Sequence, residues 1–449
     1  RTFSTAGYLE EEGRVLELVS LPLSMDPSSG TLNLELQPSL TAAMVDRLEA
    51  LETLPYIDTI SILSRFLANV TTFRTLQALE VESSQLEGEL SDLVGSALHD
   101  ILDLQKYDGG WPWWGGFDDE YQPSDPFISA YVLFGLQEAV NAGFFVDDYY
   151  LDRAVEYLSK QLEKPENIEA TWELDRLAFQ IYVLRDSDLY LGSYTDALYE
   201  RRTDLSPWAL GLLTLALDQL EGINSRQTLL GDLEAGAIRS ETGVHWESED
   251  SSWMLPGTPL FNTAVGVLTL AELDPASTSL LPALRYLMIH QKGNMPRSST
   301  FESAWTLMAI TAALEGTGDY QADYSFQAIL NDRLVAEGDA GGIIIPTPIN
   351  STTSILDLYP ESPNALVIER SAGTGTLYYR LDLEAYQPAA DAEPINKGIS
   401  LQREYYLAGE GCPGGDECEP MDSLGLDPDD PTQMVTAALT LTLSNDIYK

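Results

Sequence analysis

Leu54-Pro55-Tyr56-Ile57-Asp58-Thr59-Ile60-Ser61-Ile62-Leu63-Ser64-Arg65-Phe66 stands where the hydrophobic period of the chain changes. Upstream, residues 1–40 read as β. Gly30-Thr31-Leu32-Asn33-Leu34-Glu35-Leu36-Gln37 alternates apolar and polar, the pattern of a strand with one buried face. Pro38-Ser39 breaks that pattern, and Ser39 or Thr41 can cap a helix that starts Ala42-Ala43-Met44-Val45. Downstream the period is helical. Asp58 stands where a helix from Ile60 onward needs an N-cap, since its carboxylate can accept an N–H two or three residues on.

From about 41 to 320, apolar residues recur at three- and four-residue spacing. Examples are Gly95 to Leu104, Phe127 to Val140, Leu151 to Leu162, Trp208 to Leu220, Ala264 to Leu273, Leu281 to Ile289 and Ala304 to Leu314. The pattern predicts about a dozen helices and no strand among them. Several open alike, with small residues around an aromatic or apolar core: Ile128-Ser129-Ala130-Tyr131, Pro207-Trp208-Ala209-Leu210-Gly211, Asn262-Thr263-Ala264-Val265-Gly266 and Glu302-Ser303-Ala304-Trp305. Such recurrence fits an array of helical hairpins. An open superhelix needs polar capping repeats, and none is evident, so a closed α/α toroid is the expectation.

After about 322 the β period returns. Thr376-Leu377-Tyr378-Tyr379-Arg380-Leu381-Asp382-Leu383-Glu384 puts Leu377, Tyr379, Leu381 and Leu383 on one face. Ala340-Gly341-Gly342-Ile343-Ile344-Ile345-Pro346 and Ala365-Leu366-Val367-Ile368-Glu369-Arg370 read as further short strands. These can complete a sandwich with the N-terminal strands, which makes the helical region an insertion in a β domain. A linker composition at 387–394 precedes a last β segment.

The fold expected is therefore multidomain α + β. Residues 1–40 and 321–390 form the two parts of one β domain, 41–320 the toroid, and 391–449 the start of another β domain. The chain ends inside a strand-like pattern at Leu439-Thr440-Leu441-Thr442-Leu443 and begins at Arg1, so it reads as a piece of a larger protein.

Composition excludes some functions. The 71 acidic and 24 basic side chains give a formal net charge of -47. Such a surface repels nucleic-acid phosphates and anionic lipid headgroups. No apolar run approaches the length of a membrane span. The two cysteines, Cys412 and Cys418, flank a turn-rich spacer that would let them close a small disulfide loop; zinc is the alternative, with an incomplete ligand set. Sequons at Asn69 and Asn350 matter only in a glycosylating pathway.

The order of β edge, helical toroid, β completion and next β domain resembles the alpha-2-macroglobulin and complement family, especially its bacterial members. Short stretches carry the resemblance: Gly30-Thr31-Leu32 through Leu40, Pro55-Tyr56 with Ser64-Arg65-Phe66, Asp108-Gly109-Gly110-Trp111-Pro112-Trp113-Trp114, Asp125-Pro126, and Ser299-Thr300-Phe301-Glu302-Ser303-Ala304. The resemblance implies a thioester-type toroid inserted in a CUB-like β-sandwich and followed by part of a macroglobulin-like β-sandwich. It also implies protease partners, contacts with other domains of the same larger chain, and an extracellular, cell-surface or periplasmic location.

One departure matters. The family places a Cys, a variable residue, a Glu and a Gln between those flanks, and the Cys and Gln condense into a thioester. Here the positions are Asp58, Thr59, Ile60 and Ser61, and no cysteine precedes Cys412. The expectation is a non-enzymatic, thioester-less protein that retains proteases without covalent capture, needing no cofactor and no metal. An alternative is a surface structural or adhesive protein that reuses the fold.

A second alternative is a toroidal carbohydrate-active enzyme. Trp111, Trp113 and Trp114 could stack on sugars or could wedge the hairpin ends. Asp118, Asp119, Glu120 and Asp125 could supply the carboxyl pair that glycoside hydrolysis needs, held roughly 5–10 Å apart. His99, His245 and His290 are dispersed, with no two-His helical spacing.

Overall fold

The computed structural model describes residues 1–22, 25–26, 28–40, 58–78, 84–114, 122–220, 223–240, 243–248, 257–290, 300–317, 322–341, 348–386, 399–407 and 435–443. The proposed helix from Ala42, the 342–346 part of the predicted strand, and both cysteines lie outside these residues. Two compact units are present, Arg1–Tyr386 and Gln387–Lys449.

The first unit begins with three strands, β1 (Thr2–Leu9), β2 (Gly13–Val19) and β3 (Gly30–Gln37). Five more follow the helices: β6 (Tyr324–Leu330), β7 (Arg333–Ala340), β8 (Ile349–Ser354), β9 (Asn364–Arg370) and β10 (Leu377–Ala385). They form two antiparallel four-stranded sheets, ordered β1-β10-β3-β8 and β2-β9-β6-β7. Each sheet therefore mixes strands from before and after the helical region. The register sets Leu34 opposite Leu381 and Leu32 opposite Leu383. That pairing places the alternating leucines of β3 on the buried face with Leu377, Tyr379, Leu381 and Leu383, in one core with Phe326 and Ile368 of the other sheet. The opposite face of β10 turns toward the helices, with Tyr378 in the helical core.

Between β3 and β6 run α1 (Thr59–Ala78), α2 (Ser84–Asp103), α3 (Pro126–Asn141), α4 (Asp148–Gln161), α5 (Thr171–Leu184), α6 (Gly192–Glu200), α7 (Pro207–Leu220), α8 (Ile223–Ala235), α9 (Pro259–Leu273), α10 (Leu280–His290) and α11 (Thr300–Thr317). Odd- and even-numbered helices differ in sequence character. In α3 every residue from Phe127 to Leu136 is buried, and in α9 every residue from Phe261 to Ala271. A helix apolar on all sides needs neighbours on all sides. By contrast α4 buries Ala154, Tyr157 and Leu158, one stripe at helical spacing. Contacts follow that division. α1 packs on α3, α3 on α5, α5 on α7, α7 on α9, α9 on α11, and α11 back on α1. Each of α2, α4, α6, α8 and α10 packs on the odd-numbered helix before it.

The odd-numbered helices meet around aromatic rings: Phe127, Tyr131, Phe134, Phe179, Trp208, Phe261, Phe301 and Trp305, with neighbouring centroids 4.9–6.4 Å apart. Close approach depends on small residues. A Cβ at Gly211 would fall 2.7 Å from the Thr269 hydroxyl and 3.1 Å from Val265 across the α7–α9 contact.

One expectation fails. A short hairpin, β4 (Ile238–Ser240) and β5 (Gly243–His245), interrupts the helices and packs on α9 and α10. Its three-residue strands are too short to show a period of two. Joining the helices to the sandwich, Arg380 of β10 is 2% exposed, pairs with Asp382 at 2.8 Å and donates to the Met288 carbonyl of α10 at 2.8 Å. Arg285 of α10 donates to the Ala6 carbonyl of β1. The second unit contributes the antiparallel pair β11 (Ile399–Leu407) and β12 (Val435–Leu443).

Candidate functional site: the N-terminal end of α1

Asp58 ends the approach to α1. Its Oδ1 accepts the Ser61 N–H at 2.7 Å, the bond of an N-cap to the third helical residue. Its carbonyl accepts the Ile62 N–H at 3.2 Å. Thr59 N donates to the Trp113 carbonyl at 2.9 Å, and the Thr59 hydroxyl to the Pro112 carbonyl at 2.8 Å. The tryptophan loop thus fastens the start of α1. Ser61 is buried, and its hydroxyl accepts from Thr300 of α11 at 3.2 Å. Ser64 and Tyr131 share a hydrogen bond of 3.1 Å one turn deeper, where burial raises the Tyr131 hydroxyl. Asp58 and Ser61 are therefore together, but each is held by a structural hydrogen bond. The flank Pro55-Tyr56 lies outside the described residues.

The three tryptophans separate. Trp111 is fully buried; its Nε1 donates to the Ile101 carbonyl in the last turn of α2 at 2.8 Å, and its N–H to Ser129 of α3 at 2.8 Å. Trp113 packs on the helical core, and Trp114 is 47% exposed. A flat sugar-stacking face built from all three is not present. The same arrangement recurs at Trp246, a residue the sequence reading did not single out. Its Nε1 donates to the Leu233 carbonyl of α8 at 2.7 Å, and its N–H to Thr263 of α9 at 3.2 Å. Ser129 and Thr263 in turn donate to Asp125 and Pro259 carbonyls in the first turn of α3 and α9. Each buried indole pins the end of an even-numbered helix to the start of the odd-numbered one that follows it.

Asp125 is likewise committed. It caps α3, accepting from Phe127 N at 2.8 Å and Ile128 N at 3.0 Å ahead of Pro126. Asp118, Asp119 and Glu120 lie outside the described residues. Of the sequons, Asn350 is exposed on β8, whereas Asn69 is 5% exposed inside α1. A glycan at Asn69 is incompatible with that burial in the folded chain. His99 faces solvent beside Asp103. His245 and His290, distant in sequence, stack on Tyr286 with centroids 4.4 and 3.9 Å from its ring. Among the described residues no group of three or more His, Cys, Asp or Glu side chains could hold a metal ion. No helix among them is long and apolar enough to cross a membrane.

One buried carboxyl was not anticipated. Asp175 of α5 accepts the Ser206 N–H at 2.9 Å and the Ser206 hydroxyl at 2.6 Å, just ahead of α7. Burial pushes it up to about 7, against the pull of those hydrogen bonds.

No family model matches this chain. It is 25% identical over 171 residues to the alpha-2-macroglobulin of Rickettsia conorii (strain Malish 7), covering 37% of this chain and 9% of that protein. It is 30% identical over 122 residues to the alpha-2-macroglobulin of Thermotoga maritima, covering 27% of this chain and 7% of that protein. The structure matches Salmonella alpha-2-macroglobulin reacted with methylamine over 90% of this chain and 25% of that one, with a TM-score of 0.58 and 18% identity. The chain is similar to bacterial alpha-2-macroglobulins. Escherichia coli alpha-2-macroglobulin activated by porcine elastase matches over 99% of this alpha-2-macroglobulin-like chain and 37% of its own length, with a TM-score of 0.50 and 18% identity. The matched stretches span less than a tenth of the length of the two curated relatives.

Proposed function

We propose that this chain belongs to a protein that traps proteases sterically, without forming an acyl bond to them. The observation that carries the reading is the start of α1, where Asp58 is an N-cap, Ser61 is buried in a hydrogen bond with Thr300, and no cysteine occurs before Cys412. A carboxylate and a hydroxyl so engaged offer neither the thiolate nor the acyl donor that covalent capture requires.

In this reading the cycle of contacts among α1, α3, α5, α7, α9 and α11 is an α/α toroid. The strands at 1–40 and 321–390 make the CUB-like sandwich that holds it, and 391–449 begin a macroglobulin-like domain. The toroid keeps its shape for assembly and is not an enzyme. Proteases are the partners, as the elastase-activated relative suggests, and the location is outside the cytoplasm. The surface-spacer and carbohydrate reading draw no support from a specific residue, since Trp111 and Asp125 are used structurally.

The test uses the full-length protein. Limited cleavage by elastase should shrink the radius of gyration measured by small-angle scattering. An unchanged radius after complete cleavage would reject the trap.

A further inference from the structure

The two sheets of the sandwich share a core, but their outer faces differ. The sheet β1-β10-β3-β8 turns its outer face to the helices, with Tyr378 in the helical core. A sheet face left in water ordinarily carries polar side chains, and the outer face of β2-β9-β6-β7 departs from that. The register sets Leu16 opposite Val367, Val367 opposite Ile329, and Ile329 opposite Leu334. Val15, Ile368 and Ala328, which alternate with them in sequence, belong to the sandwich core, so this row lies on the other face. Leu334 joins the row through a β-bulge. It stands two residues from Ala336 of the core, and the register shift between Ala328 and Ile329 turns it outward. One apolar row therefore crosses four strands, a span of roughly 14 Å, and Leu18 opposite Ala365 widens it at β2. Leu16, Leu18 and Leu334 are 58%, 63% and 48% exposed. The neighbouring row is polar, with Arg14, Glu369, Gln327 and Glu337 opposite one another across the same strands. With Glu12 and Asp339 it lines a depression of about 840 Å³. Arg370 reaches the same lining, but it is 2% exposed and its guanidinium is engaged by the Ser371, Gly373 and Gly375 carbonyls. Four carboxylates against the one exposed arginine leave this border negative.

We propose that this face docks a basic amphipathic helix of a partner protein, its apolar stripe along Leu16, Val367, Ile329 and Leu334 and its Lys or Arg side chains over Glu369, Glu337, Asp339 and Glu12. A contiguous exposed apolar patch rimmed by charge marks an interaction surface. A helix suits a sheet face, because layers of a fold cover one another face to face. It repeats an apolar side chain about every 5.4 Å along one stripe, close to the strand spacing of about 4.8 Å, so a helix laid across the strands sets one apolar residue on each. The sign of the border selects the partner. Phosphates and anionic headgroups are repelled by the carboxylates, and a second copy of this chain brings a formal net charge of -47 of its own. A cationic stripe gains from both halves of the surface, the leucines supplying most of the affinity and the carboxylates the approach and the register. This inference stands independently of the trapping reading.

The probe is a fluorescent helical peptide of leucine and lysine, its leucines in one stripe, titrated by anisotropy into the whole 449-residue chain. Two peptides serve as counterparts: one with the same residues in an order that has no stripe, and one with glutamate in place of lysine. The expected result is saturable one-to-one binding of the striped lysine peptide, at least about tenfold weaker binding without the stripe, and none with glutamate. Leu16→Ser and Leu334→Ser should each weaken binding about tenfold. Both side chains are exposed, so the melting temperature should hold, and Phe145→Ser, 84% exposed in the loop after α3, should bind like the parent. Glu337→Gln with Asp339→Asn should weaken binding severalfold and flatten its salt dependence, a readout that a general loss of stability does not produce. Equal binding of the stripeless peptide, unchanged affinity in Leu16→Ser and Leu334→Ser, or equal loss in Phe145→Ser overturns the proposal. So does self-association in sedimentation equilibrium that Leu16→Ser abolishes, which assigns the face to a second copy.

Discussion

Asp175 offers a perturbation whose size can be worked out beforehand. Its carboxyl is 3% exposed and raised from 3.8 to about 7 by burial. A group that binds its proton more tightly in the folded chain contributes stability that is full below 3.8 and is lost as pH rises through 7. The whole span corresponds to roughly 4 kcal/mol, and the part between pH 5 and pH 8 to roughly 3 kcal/mol. Asp175→Asn removes the charge with little change of shape. Its Oδ1 can still accept the Ser206 N–H, and its amide can donate to the Ser206 oxygen, at a constant cost of about 1 kcal/mol for the rearranged bond. Every other carboxylate titrates alike in both proteins, so the difference between them isolates this site. For a unit the size of Arg1–Tyr386, an unfolding entropy of about 2.1 cal/mol/K per residue makes 3 kcal/mol worth about 4 °C. Differential scanning calorimetry should show the melting temperature of Asp175→Asn gaining about 4 °C on the parent between pH 5 and pH 8. A gap that stays constant across that range, or moves the other way, refutes the assignment.

Asp58→Ala should cost about 1 kcal/mol and speed amide exchange in the first turn of α1, whereas Asp58→Ser should keep most of the cap; equal exchange in all three would refute capping. Trp111→Phe and Trp246→Phe should each destabilise by about 1–3 kcal/mol, because the Ile101 and Leu233 carbonyls lose a buried donor, read as shifts in urea midpoint. Gly211→Ala should cost about 1–3 kcal/mol through overpacking. Gly95→Ala, with nothing within 4 Å of the added carbon, should stabilise α2 by about 0.5–1 kcal/mol. Passed through a glycosylating secretory pathway, the chain should carry sugar at Asn350 and none at Asn69, by peptide mass spectrometry.

Much of the architecture was legible because periodicity reports burial. The alternation at Gly30–Gln37 and Leu377–Glu384 marked the facing leucines of the sandwich core, and the helix starts at Ile128, Pro207, Asn262 and Glu302, with small residues around an aromatic or apolar core, fell on odd-numbered helices. Asp58 was readable as a cap because capping is local in sequence. Features that depend on partners distant in the chain were not readable. β8 is a polar edge strand, Ile349-Asn350-Ser351-Thr352-Thr353-Ser354, whose pairing with β3 gives it form. Trp246 follows Val244-His245 and shares no local motif with Gly110-Trp111-Pro112, although the two indoles make equivalent hydrogen bonds. Asp175 and Arg380 look like solvent-facing charges until the fold supplies Ser206 and the Met288 carbonyl.

The central claim is retention without covalent capture, and one measurement addresses it directly. The full-length protein is incubated with elastase, and the enzyme is then assayed in parallel on a small peptide substrate and on a large protein substrate before and after denaturation. The account predicts that peptide cleavage persists, that cleavage of the large substrate is lost, and that denaturation releases elastase of unmodified mass. Elastase that stays bound to the chain after denaturation, or that cleaves the large substrate at full rate, contradicts it.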